Sequence, residues 1–322
     1  MLSILVPVHN EADVLPTLLN RLALVCRKLR APVELLFVDD GSRDNSVKLL
    51  LTARHHNADI RLIRLSRNFG KEAAVTAGLA HARGDAVVLM DADLQDPPEL
   101  IPDMVSEWQR GADVVLMKRR SRAGESWLKR TTARLFYRLI NRISDAPIPV
   151  DTGDFRLMSR RTVDALNRLP ERNRYLKGMF AWVGMPTVTL EFDRDPRAAG
   201  NTKWNYLKLG HLAMEGITSF STRPLRLALV LGFLAAGAGG LFGTWEVLKA
   251  LVFGVSTPGY ASMIAVVTFL SGVQLLCVGL LGEYVGRIYL ETKQRPNFIV
   301  SDDTASHAPS PMLRVAGDDH HR

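Results

Sequence analysis

Ala86-Val87-Val88-Leu89-Met90-Asp91-Ala92-Asp93-Leu94-Gln95 is the stretch that decides the fold. Five apolar residues read as a buried strand, and the strand delivers two carboxylates and an amide to the rim of a sheet. Mg²⁺ or Mn²⁺ takes hard oxygen ligands of this kind and completes its shell with water and with phosphate oxygens from a substrate. Asp91, Asp93 and Gln95 are therefore the candidate metal ligands, and a metal held this way implies a phosphorylated ligand. Taken alone, the D-x-D triplet has a plainer meaning, a helix cap after a strand. Its neighbours decide between the two.

Working outward, apolar runs at Leu2 to Val8, Val33 to Val38, Ile60 to Leu65 and Asp113 to Met117 join Ala86 to Met90 as strands. Between them the segments near 13–30, 45–56, 71–82 and 97–110 have helical patterning. Such alternation predicts an α/β fold with a mostly parallel sheet covered on both faces, and ligands bind such sheets at the carboxyl ends of the strands. Asp39-Asp40-Gly41-Ser42, Arg67-Asn68-Phe69-Gly70-Lys71, Asp91 to Gln95 and Lys118-Arg119 all fall at those ends. A dinucleotide fingerprint is excluded, because its glycines must follow the first strand and the first glycine of the chain is Gly41. Gly70-Lys71 lacks the upstream glycine and the Ser or Thr of a P-loop.

The last third has a different character. Leu227 to Trp245 and Val252 to Gly282 contain no charged residue, and each is long enough to cross a bilayer. Two membrane helices are predicted, at about 226–250 and 261–283. Arg223 and Arg226 precede the first span, and Arg287, Lys293 and Arg295 follow the second, which places both ends in the cytoplasm. The N-terminal apolar run has no basic region before it and is broken by His9, Asn10 and Glu11, so it reads as a strand and not a signal peptide. Only Cys26 and Cys277 are present, which argues against a disulfide framework or a zinc site. Residues 301–322 mix Asp, Ser, Pro and His without apolar periodicity and are predicted to be a disordered tail.

The net charge of +8 invites a nucleic-acid reading until the charges are located. Nine Lys or Arg residues lie between Lys118 and Arg142 against the single acid Glu125, and Arg130, Arg134, Arg138 and Arg142 recur every fourth residue. On a helix they form one basic stripe, which beside membrane spans faces anionic headgroups; a merely solvated face stays open. No nucleic-acid recognition module accompanies them.

Several segments together resemble the family 2 glycosyltransferases of GT-A fold, within them the polyprenyl-phosphate group, and most closely the bactoprenol-phosphate glucosyltransferases (GtrB group). They are VPVHNEAD from Val6, VDDGSRDNS from Val38, the long run from Ser66 to Pro102, DTGDFRLMSRR from Asp151, LPERNRYLKGMFAWVG from Leu169 and GLLGEYVGRIYLETKQRPNFIV from Gly279. The resemblance implies a GT-A domain over 1–203, a juxtamembrane amphipathic segment over 204–222 and the helix pair within 223–290. It implies transfer of glucose from UDP-glucose to undecaprenyl phosphate with inversion, for cell-envelope or lipopolysaccharide modification, by a bacterial inner-membrane protein. N-acetylglucosamine, galactose, mannose or an amino-arabinose stay open as the sugar. A homo-oligomer, such as a tetramer, and a lipid-sugar flippase partner are further implications.

By matching motif, Pro7, Glu11, Asp39 and Asp40 line the nucleoside pocket, while Asp91, Ala92, Asp93 and Gln95 hold metal and pyrophosphate. Arg194, Arg197 and Lys203 lie in a loop over the diphosphate. Asp154 takes the position of the family's catalytic carboxylate, with Asp93 beside the chemistry. Arg119, with Arg122 or Arg130, captures the acceptor phosphate, because the planar guanidinium fork suits it. Plain alternatives accompany these roles: Asp40-Gly41 as a turn with Asp44 capping the next helix and Pro7 as a strand end, while Arg67 and Lys71 stay open between surface charges and a place in the phosphate site. The acceptor is a phosphate monoester with a second pKa of about 6, already mostly dianionic near neutral pH, so Asp154 is open to a positioning role as well as that of a base. Two rival functions are weighed. A processive polysaccharide synthase would carry Q-x-x-R-W, which no glutamine here begins. A non-catalytic nucleotide-sugar-binding scaffold would bind without turnover.

Replacing Arg130, Arg134 and Arg138 with Gln is expected to weaken binding to anionic vesicles, each residue near the surface contributing about 1 kcal/mol, with UDP affinity unchanged. Vesicle flotation beside UDP titration checks it, and a collapse of UDP binding alone would mean the stripe faces the donor.

Overall fold

The computed structural model describes residues 1–29, 31–56, 59–119, 152–172, 174–192, 223–253 and 259–305. Five strands fall where the apolar runs predict them: β1 (Leu2–Val8), β2 (Val33–Asp39), β3 (Ile60–Leu65), β4 (Ala86–Leu89) and β5 (Val114–Arg119). Helices α1 (Leu15–Lys28), α2 (Ser46–His56), α3 (Lys71–His81) and α4 (Ile101–Gln109), the last entered through a 3₁₀ turn at Pro98–Leu100, follow the periodic segments. Three further strands, β6 (Thr152–Ser159), β7 (Thr187–Phe192) and β8 (Val300–Asp303), and two short helices, α5 (Arg160–Asn167) and α6 (Leu176–Val183), complete the framework around the sheet.

The sheet has the order β7-β5-β6-β4-β1-β2-β3-β8. Its centre, β4-β1-β2-β3, is parallel, as the alternation of strands and helices requires. β6 runs antiparallel between β4 and β5, and β8 antiparallel along β3. Alternate residues of β1 and β4 serve two cores. Ile4, Val6, Ala86 and Val88 pack with α1 and α4, while Leu5, Val87 and Leu89 pack with α3, α5 and α6. Against β1 the fit is close enough that a Cβ on Gly78 would lie 2.1 Å from Leu5 Cδ1. A larger residue there would have to displace the buried Leu5 side chain.

Two long helices, α7 (Arg223–Phe253) and α8 (Tyr260–Thr292), carry apolar stretches at Ala228–Trp245 and Phe269–Thr292 that are long enough to span a bilayer and have no cover within the described protein. α8 runs about nine residues past the expected end of the span, through Glu283, Arg287 and Glu291, with Arg287 donating to the Glu283 carboxylate on the preceding turn. That end meets the segment before α6, where both Glu291 oxygens accept the Arg172 N–H at 2.9 and 3.0 Å.

The chain then returns to the sheet, and this corrects the expectation of disorder from residue 301. Val300–Asp303 adds a strand to the open edge of β3; residues 306–322 lie outside the described set. The reason is a charge network invisible to apolar patterning. Arg61, buried in β3, donates to both Asp303 oxygens at 3.0 and 2.6 Å and to Glu34 at 3.2 Å, and Glu34 in turn accepts from Ser3 at 2.6 Å. Thr304 exchanges two further bonds with the Leu62 backbone.

The Arg61 hydrogen bond holds the Asp303 carboxyl below the usual range. Its contribution is complete above the free-carboxyl pKa of about 4 and is lost as pH falls through the folded value. Asp303→Ala is expected to lower stability by about 1–3 kcal/mol and to expose the Leu62 and Thr304 amides to hydrogen exchange. Protection equal to wild type would show that β8 is held otherwise.

Candidate active site

The carboxyl ends of β1, β2 and β4 and the loop before α3 enclose a cleft of about 310 Å³ lined by Pro7, Glu11, Asp40, Lys71, Asp91 and Asp93 among others. Its floor is built by backbone constraints. Asp40 is buried and its two oxygens accept the Phe69 and Gly70 N–H groups at 2.7 and 2.9 Å, tying the loop after β3 to the end of β2. The two loops touch at Gly41, whose φ is +68° and where a Cβ would lie 2.7 Å from the Arg67 carbonyl carbon and the Asn68 nitrogen. Only glycine fits a left-handed turn under such a contact. Asp44 accepts the N–H groups of Ala12 and Ser46, so the capping alternative for this segment holds at Asp44.

Several sequence-predicted residues thus have structural work of their own. Asp39 is buried, accepts the Ser42 N–H at 3.1 Å and does not line the cleft. Asp40 lines it with a carboxylate already bonded to two amides. Gln95 is buried and outside the lining, and its N–H donates to Asp93 Oδ1 across a turn that needs φ +60° at Leu94. His9 Nδ1 donates to the Asp40 carbonyl at 2.9 Å, leaving Nε2 to accept from Asn68 at 3.0 Å. Arg119 closes β5 opposite Phe192, whereas Arg122, Arg130, Arg194, Arg197, Lys203 and the rest of the basic stripe lie outside the described residues.

The reactive side of the cleft is made by β6. Its register against β4 pairs Leu89 with Arg156, and continuing two residues along each antiparallel strand brings Asp91 level with Asp154. Between them stands Lys71, the first residue of α3, with Nζ 2.6 Å from Asp91 Oδ1 and 2.6 Å from Asp154 Oδ2. Lys177 of α6 approaches the other Asp154 oxygen at 4.0 Å. Behind them Arg156 is fully enclosed. It donates to the Gly153 and Asp154 carbonyls and stacks 3.9 Å from the Phe180 ring centroid.

Electrostatics divides the site in two. Burial, then the Asp93 and Asp91 charges, raise the Glu11 carboxyl above its ordinary value, the mark of a concentrated negative potential. Burial also disfavours the Asp154 anion, but the Lys71 and Lys177 charges outweigh it and hold that carboxyl low. Burial brings Arg156 down to about 10, still charged at neutral pH. Burial and Asp154 push Glu72, which accepts the Leu176 N–H at 3.2 Å, up to about 7. The acidic half, with hard carboxylate oxygens from Asp91 and Asp93, suits a divalent cation. Among the described residues no three acidic, His or Cys side chains form a full metal cage, so such an ion would take its remaining ligands from water and phosphate. Sequence reasoning left Lys71 between surface and site and missed Lys177 and Arg156. Their partner Asp154 lies 83 residues from Lys71 in the chain, and only the β4–β6 register joins them.

Residues 3–166 match the glycosyl transferase family 2 model, and residues 223–288 match the GtrB C-terminal hairpin. The chain is 48% identical over 301 residues to an uncharacterized glycosyltransferase of Synechocystis sp., covering 94% of this chain and 95% of that one. It is 45% identical over 302 residues to the bactoprenol glucosyl transferase of Shigella phage SfV, with 94% and 98% covered. A prophage bactoprenol glucosyl transferase homolog of Escherichia coli K12 is 44% identical over 299 residues, with 93% and 98% covered. A GT-A-type sheet with a D-x-D at the end of its fourth strand, closed by a membrane-associating hairpin, is thus a glycosyltransferase, and the chain belongs to glycosyl transferase family 2.

Proposed function

We propose that this protein transfers glucose from UDP-glucose to a polyprenyl phosphate, undecaprenyl phosphate in bacteria, with inversion at the anomeric carbon. The observation that carries the reading is the junction of Asp91, Lys71 and Asp154: a site for a metal and diphosphate directly joined to a cation-ringed carboxylate, in a chain with a membrane hairpin. The named activity of the phage relatives supplies the sugar and the lipid. The same proposal puts the catalytic domain and both termini at the cytoplasmic face of the inner membrane, with self-association and a lipid-sugar flippase as downstream partners.

Displacement at the sugar carbon builds negative charge on the departing UDP. Asp91 and Asp93 would hold Mg²⁺ or Mn²⁺, which when bound offsets that charge. Arg194, Arg197 and Lys203 would close over the same diphosphate, and Arg119, Arg122 and Arg130 would take the acceptor phosphate. Asp154 then orients rather than deprotonates. The acceptor is already a dianion, and a carboxyl held low by two lysines is a poor proton acceptor.

Purified protein in lipid nanodiscs, given undecaprenyl phosphate and a panel of UDP-sugars, is expected to yield one glucosylated lipid by mass spectrometry. Binding of UDP-glucose without any lipid product would favour the scaffold reading. Asp91→Asn and Asp93→Asn are each expected to cut transfer by about 100-fold or more in folded, inserted protein. Asp154→Asn should retain more activity than Asp154→Ala, with no basic limb lost between pH 7 and 9 in either rate profile. Equal inactivity of the two folded variants would restore Asp154 as the base.

A further inference from the structure

Lys71 makes two ion pairs of equal length with carboxylates that have different work to do. Asp91 belongs to the acidic half of the cleft with Asp93 and Glu11, and Asp154 to the half with Lys177 and Arg156. The ammonium sits on Asp91 Oδ1, one of the few oxygens able to ligate a divalent ion there. Lys71 Nζ lies 2.6 Å from Asp91 Oδ1, so a divalent ion on that carboxylate would compete with the ammonium for the oxygen and repel it across the shared group. Asp154 supplies the place to go. Lys71 already donates to it, and a lysine stem with four rotatable bonds can give up one carboxylate while keeping the other.

We propose that Lys71 is an internal counter-ion that competes with the metal for Asp91, so that the metal enters with the nucleotide diphosphate and Lys71 withdraws to Asp154. This positioning role rests on the metal reading given above and adds to it an order of events. The diphosphate brings the negative charge that tips the exchange. Free divalent ion, lacking that charge, is held weakly. By linkage, whatever weakens metal binding to the free protein through Lys71 appears as cooperativity between metal and UDP.

The test is Mn²⁺ binding to the intact protein without nucleotide, followed by electron paramagnetic resonance of the free aqueous ion, and repeated with UDP. Lys71→Met is expected to bind Mn²⁺ about tenfold tighter than wild type, a difference of about 1.4 kcal/mol, and to show less gain on adding UDP. Lys71→Arg, which restores the charge, should return affinity toward wild type. The gain expected in Lys71→Met is a direction that loss of folding cannot mimic, and Asp154→Asn, which removes the alternative anchor and commits Lys71 to Asp91, should weaken Mn²⁺ binding in protein whose thermal melt matches wild type. Mn²⁺ affinity in Lys71→Met equal to or below wild type, with Lys71→Gln and thermal melts confirming folded protein, would overturn the proposal. Asp91→Asn separates the two levels of inference: unchanged Mn²⁺ binding in that variant would remove the metal site itself, whatever Lys71 does.

Discussion

The antiparallel seating of β6 beside β4 is the constraint on which the site depends. A purely parallel sheet would leave Asp91 and Asp93 at a rim with nothing opposite. Pairing Leu89 with Arg156 sends β6 back past the end of β4 and sets Asp154 across from Asp91. Two carboxylates at that spacing need a cation between them, and Lys71 supplies it from the first turn of α3. The position of α3 is fixed in turn by Asp40, whose carboxylate holds the Phe69 and Gly70 amides, and by the glycine contact of α3 with β1.

The two ends of the sheet treat charge in opposite ways. At the amino ends of the strands, Ser3, Glu34, Arg61 and Asp303 form a closed chain in which each carboxylate has a cation or several donors. Such a buried network is costly to break and holds the returning strand β8 in register. At the carboxyl ends, Glu11, Asp91 and Asp93 crowd negative charge around an open cleft with Lys71 as the nearby cation. Stability is concentrated at the first end, and the negative potential that suits a divalent cation at the second. The hairpin touches the second end indirectly. Glu291 caps the Arg172 amide, and a few residues on, Leu176 and Lys177 meet Glu72 and Asp154.

The central sheet was legible because β1 to β5 are apolar runs separated by amphipathic helices, a pattern that only a doubly covered sheet satisfies. The D-x-D at the end of β4 and the hairpin were legible for similar reasons, one from its position after a strand and one from length without charge. What escaped was pairing between distant segments. β6 carries Asp154 and Arg156 within its eight residues and does not read as a strand by composition. By contrast β7, Thr187–Phe192, alternates polar and apolar residues and carries a strand signal that a search for apolar runs passes over. β8 is short and ends in two aspartates, one of which Arg61 neutralises. The pairs that Lys71 and Lys177 make with Asp154 depend on where β6 places that carboxylate. No local signal could reveal them.

The most direct test of this account is anomalous diffraction at the manganese edge from the protein crystallised with Mn²⁺ and UDP. A peak about 2 Å from carboxylate oxygens of Asp91 and Asp93, with Lys71 drawn off Asp91 and still bonded to Asp154, is the predicted result. A peak away from both aspartates, or Lys71 unmoved beside a bound ion, would contradict it.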